Sequence, residues 1–393
     1  MAFEDFFEGT AFDFYGEKKK FIDNMNFLKN MDVTEQTFYK KWAEVQQLSN
    51  LINRSSVTKA KIWTPTDLYD EQLTIKEINE LNPCVELTDE SSKIDWDMLR
   101  IFTHTMEFAQ TPGRFLKFLI TDGNKENKRY LGVLSVSSDV IAIKDRDDYI
   151  GWSVDDKLTG HKRINNSAIG SCIASVQPFG YNFLGGKLCA CLITTNTIRD
   201  IWKKEYNNVL AGITTTSLYG SYSMYNSLKW WHKCGSSAGK MSIKPDDNVY
   251  EVWHNWIKEN KSVEYNKSMT QKEGTNGPVT GAKNRVLSMI FRQLDMKASD
   301  YEHGFERGTY YASFYENTKG FLCNKVDEND LKMKPLYSGD KEEILKWWKP
   351  KAISRYQKLK SENKLSNEIL YYNKMIGMSY DDAKNKFLSD VGR

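Results

Sequence analysis

The chain has 393 residues, with 55 Lys and Arg set against 52 Asp and Glu, a formal charge of +3 and 13% aromatic residues. That length carries one large domain or two to three smaller ones, and so small a net charge excludes a polyanion-binding field spread over the whole molecule; any such partner needs a local patch. Six cysteines at 84, 172, 189, 191, 234 and 323 lack the paired spacing of a zinc site and read as reduced, mostly buried thiols.

The amino terminus is acidic before it is basic and has no apolar signal core, and no later stretch approaches ~18 apolar residues. A cytoplasmic protein with no membrane span is expected, in the host cytoplasm if the chain is viral. Residues 1–110 read as a helical arm, suited to docking protein partners, in which "TEQTFYKKWAEVQQLSNLI" opens on a Thr34 N-cap and repeats apolar residues at helical spacing. "DLYDEQLTIKEINEL" and "IDWDMLRIFTHTMEFA" predict two further helices. The turn signal "TPG" at 111–113 then marks the start of a core over 111–240.

The core opens with "RFLKFLITDG" and "KRYLGVLSVSSDVIAI", strand-like runs joined by the polar "NKENK", which predict an antiparallel pair. A polar loop over 144–166 leads to the strand "SAIGSCIASVQPFG", a glycine turn, and one long helix, "LCACLITTNTIRDIWKKEY". A strand in "VLAGITTTSL" follows, then "YGSYSMYNSLKWWHKCG", read as a helix entering a strand. Residues 241–339 form an extension that completes the sheet or builds a second α+β unit, with an exposed loop at "KEGTNGPVTG" and an amphipathic helix at "AKNRVLSMIFRQLD". Residues 340–393 read as a solvated helical tail.

Two stretches carry candidate chemistry. Strand, glycine turn and helix form the local grammar of an anion site, because unpaired amides and the positive helix end favour phosphate. In "DRDDYIGW", three aspartates surround an arginine. Asp147 suits an exocyclic amine, Trp152 suits stacking on a base, and Asp145, Asp147 and Asp148 together suit a divalent cation if they converge. His232 near Cys234 has no second ligand pair, so no metal site is expected there.

Residues 169–240 resemble the central half of the GNAT acyltransferase superfamily. Val176-Gln177-Pro178 matches the end of its first strand, and Phe183, Leu184, Gly185, Gly186 and Lys187 stand at its pyrophosphate loop. Tyr225, five residues before Trp230, stands where that family's tyrosine protonates the departing thiolate. Residues 114–240 resemble more closely the family that includes the A component of the Druantia anti-phage defence system and related phage proteins. Arg146, Asp147, Ile150, Gly151 and Trp152 match one motif, Asn165 and Asn166 a second, and Thr215 or Thr216 with Gly220, Ser221 and Tyr222 a third. Trp231 with Gly235, Ser237 and Gly239 matches a fourth. That family looks in turn like the Mom type of phage DNA-modification protein.

The resemblances imply an α+β protein with a GNAT-like mixed central sheet and flanking helices. They imply a phage or mobile-element transferase that moves an acyl-type group onto a nucleobase of DNA. Tyr225, Asp147, Arg146 and Ser221 would be catalytic, and Gln177, Leu184, Gly185, Gly186 and Lys187 would hold acyl-CoA or a related phosphate-bearing donor. Asp148, Tyr149, Trp152, Asn165, Asn166, Thr216, Tyr222, Trp230 and Trp231 would face the acceptor. Three alternatives stand beside this reading: a non-catalytic nucleic-acid-binding or anti-phage module with no tunnel beside Gly185, a metal-dependent nuclease, and an acyltransferase for a protein or small molecule.

Overall fold

The structure is a computed structural model that describes residues 12–104, 113–217, 223–236, 243–270, 281–302, 307–334 and 339–390. Its elements run α1 (Phe14–Asn30), α2 (Val33–Ile52), α3 (Glu71–Glu80), β1 (Cys84–Leu87), α4 (Lys93–Thr103), β2 (Phe115–Thr121), β3 (Tyr130–Ser138), α5 (Lys144–Ile150), α6 (Val154–Leu158) and β4 (Ser167–Ser175). They continue with α7 (Phe179–Phe183), α8 (Gly185–Leu192), α9 (Asn196–Tyr206), β5 (Gly212–Thr216), β6 (His232–Ser236), α10 (Asp247–Asn260), α11 (Ser262–Met269), α12 (Ala282–Gln293), β7 (Gly308–Ser313), α13 (Thr318–Leu322), α14 (Lys341–Ser361) and α15 (Tyr380–Asp390). The class is α+β, as expected. Among the described residues no helix is long and apolar enough to cross a membrane.

The chain divides into two units. The first comprises Met1–Gln36 and Gly239–Gly304, and its described part is helical, with Trp253 buried among Phe14, Phe21 and the other rings of α1 and α10. The second comprises Thr37–Ala238 and Phe305–Arg393 and holds the sheet. Residues 37–104 and 339–390 therefore belong to the same compact unit as the strands. The reason is apolar: Phe38 of α2 stacks on Phe387 of α15, and Trp63 packs on Phe179 and Phe183.

The seven strands lie in the order β1-β2-β3-β4-β5-β7-β6. All neighbours are antiparallel except β4 and β5. Burial along β3 runs unbroken from Tyr130 to Ser137, and since successive side chains alternate between faces, both faces of the sheet are covered there. The parallel pair is short. It joins Ser167 to Gly212, Ala168 to Ile213 and Ile169 to Thr214, after which β4 runs on to Ser175 without β5 beside it.

Four local expectations are corrected. The helix expected over 188–206 is broken into α8 and α9, because the Thr194 and Thr195 hydroxyls donate to the carbonyls of Cys191 and Leu192, each at 2.7 Å, and Thr195 turns extended. The loop expected at 144–166 contains α5, which ends on Gly151 at φ 78°, and α6, which Ser153 and Asp156 cap reciprocally. Residues 224–231 form turns rather than a helix. The N-cap of α2 falls at Asp32, not Thr34, since the Asp32 carboxylate accepts from the amides of Thr34 and Glu35 at 2.7 and 3.1 Å. The "KEGTNGPVTG" loop falls almost wholly outside the described residues.

Candidate functional site

The region where β4 and β5 part is filled from the turn before β6. Thr215 of β5 donates to the Gly170 carbonyl of β4 at 3.0 Å, and the Tyr225 hydroxyl lies 3.5 Å from the same threonine oxygen. The Tyr225 ring packs on Trp231 and Tyr310 with centroids 5.1 Å away in each case, and burial raises its phenol above the ordinary tyrosine range. Trp231 donates its indole N–H to the Ala190 carbonyl of α8 at 2.6 Å. Tyr225 and Trp231 are thus bonded and packed core residues, only 5% and 7% exposed.

The glycine turn before α8 is closed by its own neighbours. Leu184 takes the left-handed conformation at φ 55°, and α8 starts from it. A Cβ on Gly185 would stand 2.3 Å from the Ser175 hydroxyl and 2.5 Å from the Phe179 ring, so only glycine fits. Lys187 reaches the carbonyls of Met224 and Asn226 at 3.3 and 2.9 Å, and burial, with Lys351 nearby, lowers its pKa. Trp348 of α14 donates to the Phe183 and Leu184 carbonyls at 3.0 and 3.3 Å. Gln177 is exposed and spends its carbonyl oxygen on the Tyr181 amide at 3.1 Å.

Around α5 stands a buried ion network. Arg146 donates to Asp139 at 2.5 Å and to Asp147 at 2.7 and 2.9 Å, and Lys157 meets Asp147 at 2.6 Å. Asp139 also accepts from Ser167 at 2.5 Å and Thr214 at 3.0 Å, which ties the network to the first and last residue pairs of the β4–β5 ladder. The Arg146 and Lys157 cations lie over the Trp152 ring at 5.1 and 5.2 Å, and Trp152 is 4% exposed. Arg146, with no exposed side chain, is held protonated by its two carboxylates against the cost of burial.

These two clusters are on opposite faces of the sheet. Thr214 and Thr215 are consecutive in β5, so the first points at Asp139 and the second at Tyr225. Tyr310 and Tyr311 of β7 divide in the same way, the first beside Tyr225 and the second 6.3 Å from Tyr149. Arg146, Asp147 and Trp152 therefore do not share a cleft with Tyr225. Nor do the aspartates converge: Asp147 serves Arg146 and Lys157, Asp145 faces Thr309 at 3.4 Å, and Asp148 pairs with Lys144 on the surface. Helical spacing sends Asp147 away from the other two, Asp145 and Asp148 are drawn to separate partners, and among the described residues no three metal-ligating side chains gather.

The remaining expected residues are dispersed. Tyr149 stacks on His232 at 4.0 Å with Lys319 3.6 Å above its ring. Asn166 is buried and donates to the Val209 carbonyl at 2.8 Å, whereas Asn165 lends its carbonyl to Arg114 at 3.1 Å; both hold the strand starts together. Thr216 pairs with Thr309, and Trp230 packs edge-on to Trp347 at 5.5 Å. Ser221 and Tyr222 lie outside the described residues, as do Gly220, Ser237 and Gly239.

A surface that sequence reasoning passed over lies on α14. From Leu345 to Lys360 this helix carries Lys346, Lys349, Lys351, Arg355, Lys358 and Lys360 and no acidic residue. Lys351 stands over the Trp347 ring at 5.5 Å and Arg355 over the Tyr181 ring at 5.1 Å. The missing i,i+4 acids were the signal, hidden by reading the segment only as a solvated tail.

Comparison with known proteins gives one family. The family model described as Druantia protein DruA matches residues 35–324, which include all seven strands and end before α14. The Druantia protein DruA of Escherichia coli (strain UMEA 4076-1) is 24% identical over 272 residues, covering 64% of this chain and 64% of that protein. The chain thus spans less than two thirds of the length of the curated relative it matches. No solved structure matches it.

Proposed function

Since the chain belongs to the family of the Druantia protein DruA, we propose that it serves in anti-phage defence and that its sheet unit recognises a ligand rather than transferring an acyl group. The observation that carries this reading is the occupancy of the space between β4 and β5. An acyl donor needs the gap beside a splayed strand pair, free amides at the helix start and a cation for its phosphates. Here Tyr225 packs in the gap, Trp348 and the Phe179 ring close on the turn, and Lys187 is spent on two main-chain carbonyls.

A second reading, a GNAT-like transferase acting on DNA, is favoured by a separate observation. β4 and β5 part after three residue pairs, and the Tyr225 hydroxyl sits at that divergence beside Thr215. Its weakness is chemical. A phenol only 5% exposed reaches no thiolate without displacement of the turn at 224–231, and the Arg146 network assigned to the acceptor stands on the other face.

Calorimetric titration of acetyl-CoA into the chain separates the two. The recognition reading expects no saturable heat at millimolar donor. Micromolar binding that Lys187→Ala weakens by about tenfold, the loss of one charge-assisted contact, would establish the transferase reading instead.

A further inference from the structure

We propose that the outer face of α14, with Tyr181, binds single-stranded DNA. The proposal rests on the recognition role above and gives it a ligand and a surface. In a chain of net charge +3, an even spread of sign is the expectation, and helices of that kind pair Glu with Lys four residues on. α14 does the opposite. Its two acids, Glu342 and Glu343, are confined to the first turn, where they suit the helix dipole, and the six cations that follow stand on a helix with no acid to match them.

Three of those cations are committed elsewhere. Lys349 donates to the Asn79 carbonyl at 2.6 Å, Lys358 lies 3.9 Å from Glu362, and Lys360 lies 3.3 Å from Glu71. Lys346, Lys351 and Arg355 form no ion pair among the described residues. Lys346 and Lys351 are exposed, and Lys187, whose proton affinity burial lowers, lies near enough to Lys351 for that charge to lower it a little further. Lys351 and Arg355, four residues apart, share one flank of the helix with Tyr181, whereas Lys346 stands on the opposite flank; an anion bound between Lys351 and Arg355 relieves their repulsion, which Glu362, within electrostatic reach of Arg355, offsets only in part.

The choice of anion follows from the rings. Tyr181 is 42% exposed, with the Arg355 guanidinium over it, and Arg355 also donates to the Tyr181 carbonyl at 3.3 Å, which fixes the pair. Trp347, half-buried, carries Lys351 in the same manner. A row of phosphates met by cations, with a ring one step away on which an unpaired base can stack, is how single strands are held without sequence readout. An acidic peptide would use the cations but leave the rings idle, and a duplex presents no free base face. A single strand is the occupant that uses both, and the defence reading above makes that strand the unpaired DNA of an invading genome.

Fluorescence anisotropy of a short labelled oligodeoxythymidylate, titrated with the full chain over a range of salt, tests this. Two phosphate contacts, at Lys351 and Arg355, predict a log–log salt slope of about −1.4, and Lys351→Gln or Arg355→Gln each reduces the slope by about 0.7. Tyr181→Ala weakens binding about tenfold with the slope unchanged, while Tyr181→Phe keeps it. Lys144→Gln, exposed on α5, leaves binding as it was. All four positions reach the surface, and circular dichroism checks that each of the five variants is folded. No binding by the wild-type chain, binding indifferent to all three face variants, or equal binding of polyglutamate, duplex or phosphatidylserine vesicles overturns the proposal. If single-stranded DNA binds as expected but acetyl-CoA binds too, the surface stands and the recognition reading falls. If the strand fails to bind while the chain still protects cells from phage, the surface falls and the defence reading stands.

Discussion

Asp139→Ala lowers the stability of the folded chain by about 3–5 kcal/mol, the cost of stranding a buried charge. Arg146 has no exposed side chain, and Asp139 is its shortest partner at 2.5 Å. Removing the carboxylate leaves the guanidinium with Asp147 as its one carboxylate and also orphans the hydroxyls of Ser167 and Thr214, at the two ends of the parallel ladder. The double variant Asp139→Val with Arg146→Met recovers part of the loss, because an apolar pair avoids desolvating both charges while the Ser167 and Thr214 hydroxyls stay without their acceptor. Asp148→Ala, one residue beyond the network on the same helix, leaves stability unchanged, since its partner Lys144 is on the surface. Urea unfolding of the four proteins measures all of this. A loss at Asp148 equal to that at Asp139 would mean that burial is not what gives the network its weight.

Trp348→Ala costs about 3–5 kcal/mol, in the range for deleting a large buried ring. Its side chain is fully buried, packs on Phe179 at 5.7 Å and donates to two carbonyls at the end of α7. Trp348→Phe keeps most of the packing and loses the indole N–H, so it costs only about 1–2 kcal/mol. The same residue fastens α14 to the turn before α8, so Trp348→Ala also weakens the DNA binding proposed for the outer face. If urea unfolding of Trp348→Ala matched the wild type, α14 would not be an integral part of the sheet unit.

The two effects have a common origin in the parallel pair. Its short ladder is reinforced from one face by Asp139, which gathers Ser167 and Thr214, and from the other by Thr215, which bonds Gly170. α14 and α7 then close the end of β4. Tyr225 with Thr215 and Arg146 with Asp139 are thus two separate braces on the two faces of one sheet.

The strands were legible because alternating apolar residues between turn signals leave little choice, as in the pair β2 and β3 with its polar connection. The corner around α5 was legible as a motif and not as a structure. "DRDDYIGW" opens on four charged residues and ends on a turn, too short an apolar pattern to announce a helix, and the partners that explain it, Asp139 and Lys157, lie seven and eleven residues from Arg146. Tyr225 was found by spacing, but spacing does not reveal that Thr214 and Thr215 divide the sheet into two faces. The long helix at 188–206 failed on two threonines, whose hydroxyls compete for main-chain carbonyls whatever the apolar pattern says. β7 comes after the segment that forms most of the first unit, and a strand supplied from so far along the chain leaves no local trace of its place between β5 and β6.

The most direct test of the recognition role is phage plating on cells that carry the chain with the genes flanking it, comparing wild type with Tyr225→Phe at equal protein level. As packing, Tyr225 loses only a 3.5 Å contact with Thr215, and protection stays at the wild-type level. As the acid of a transfer reaction, it loses the proton it must give, and protection that collapses in Tyr225→Phe while the protein remains folded would contradict the account.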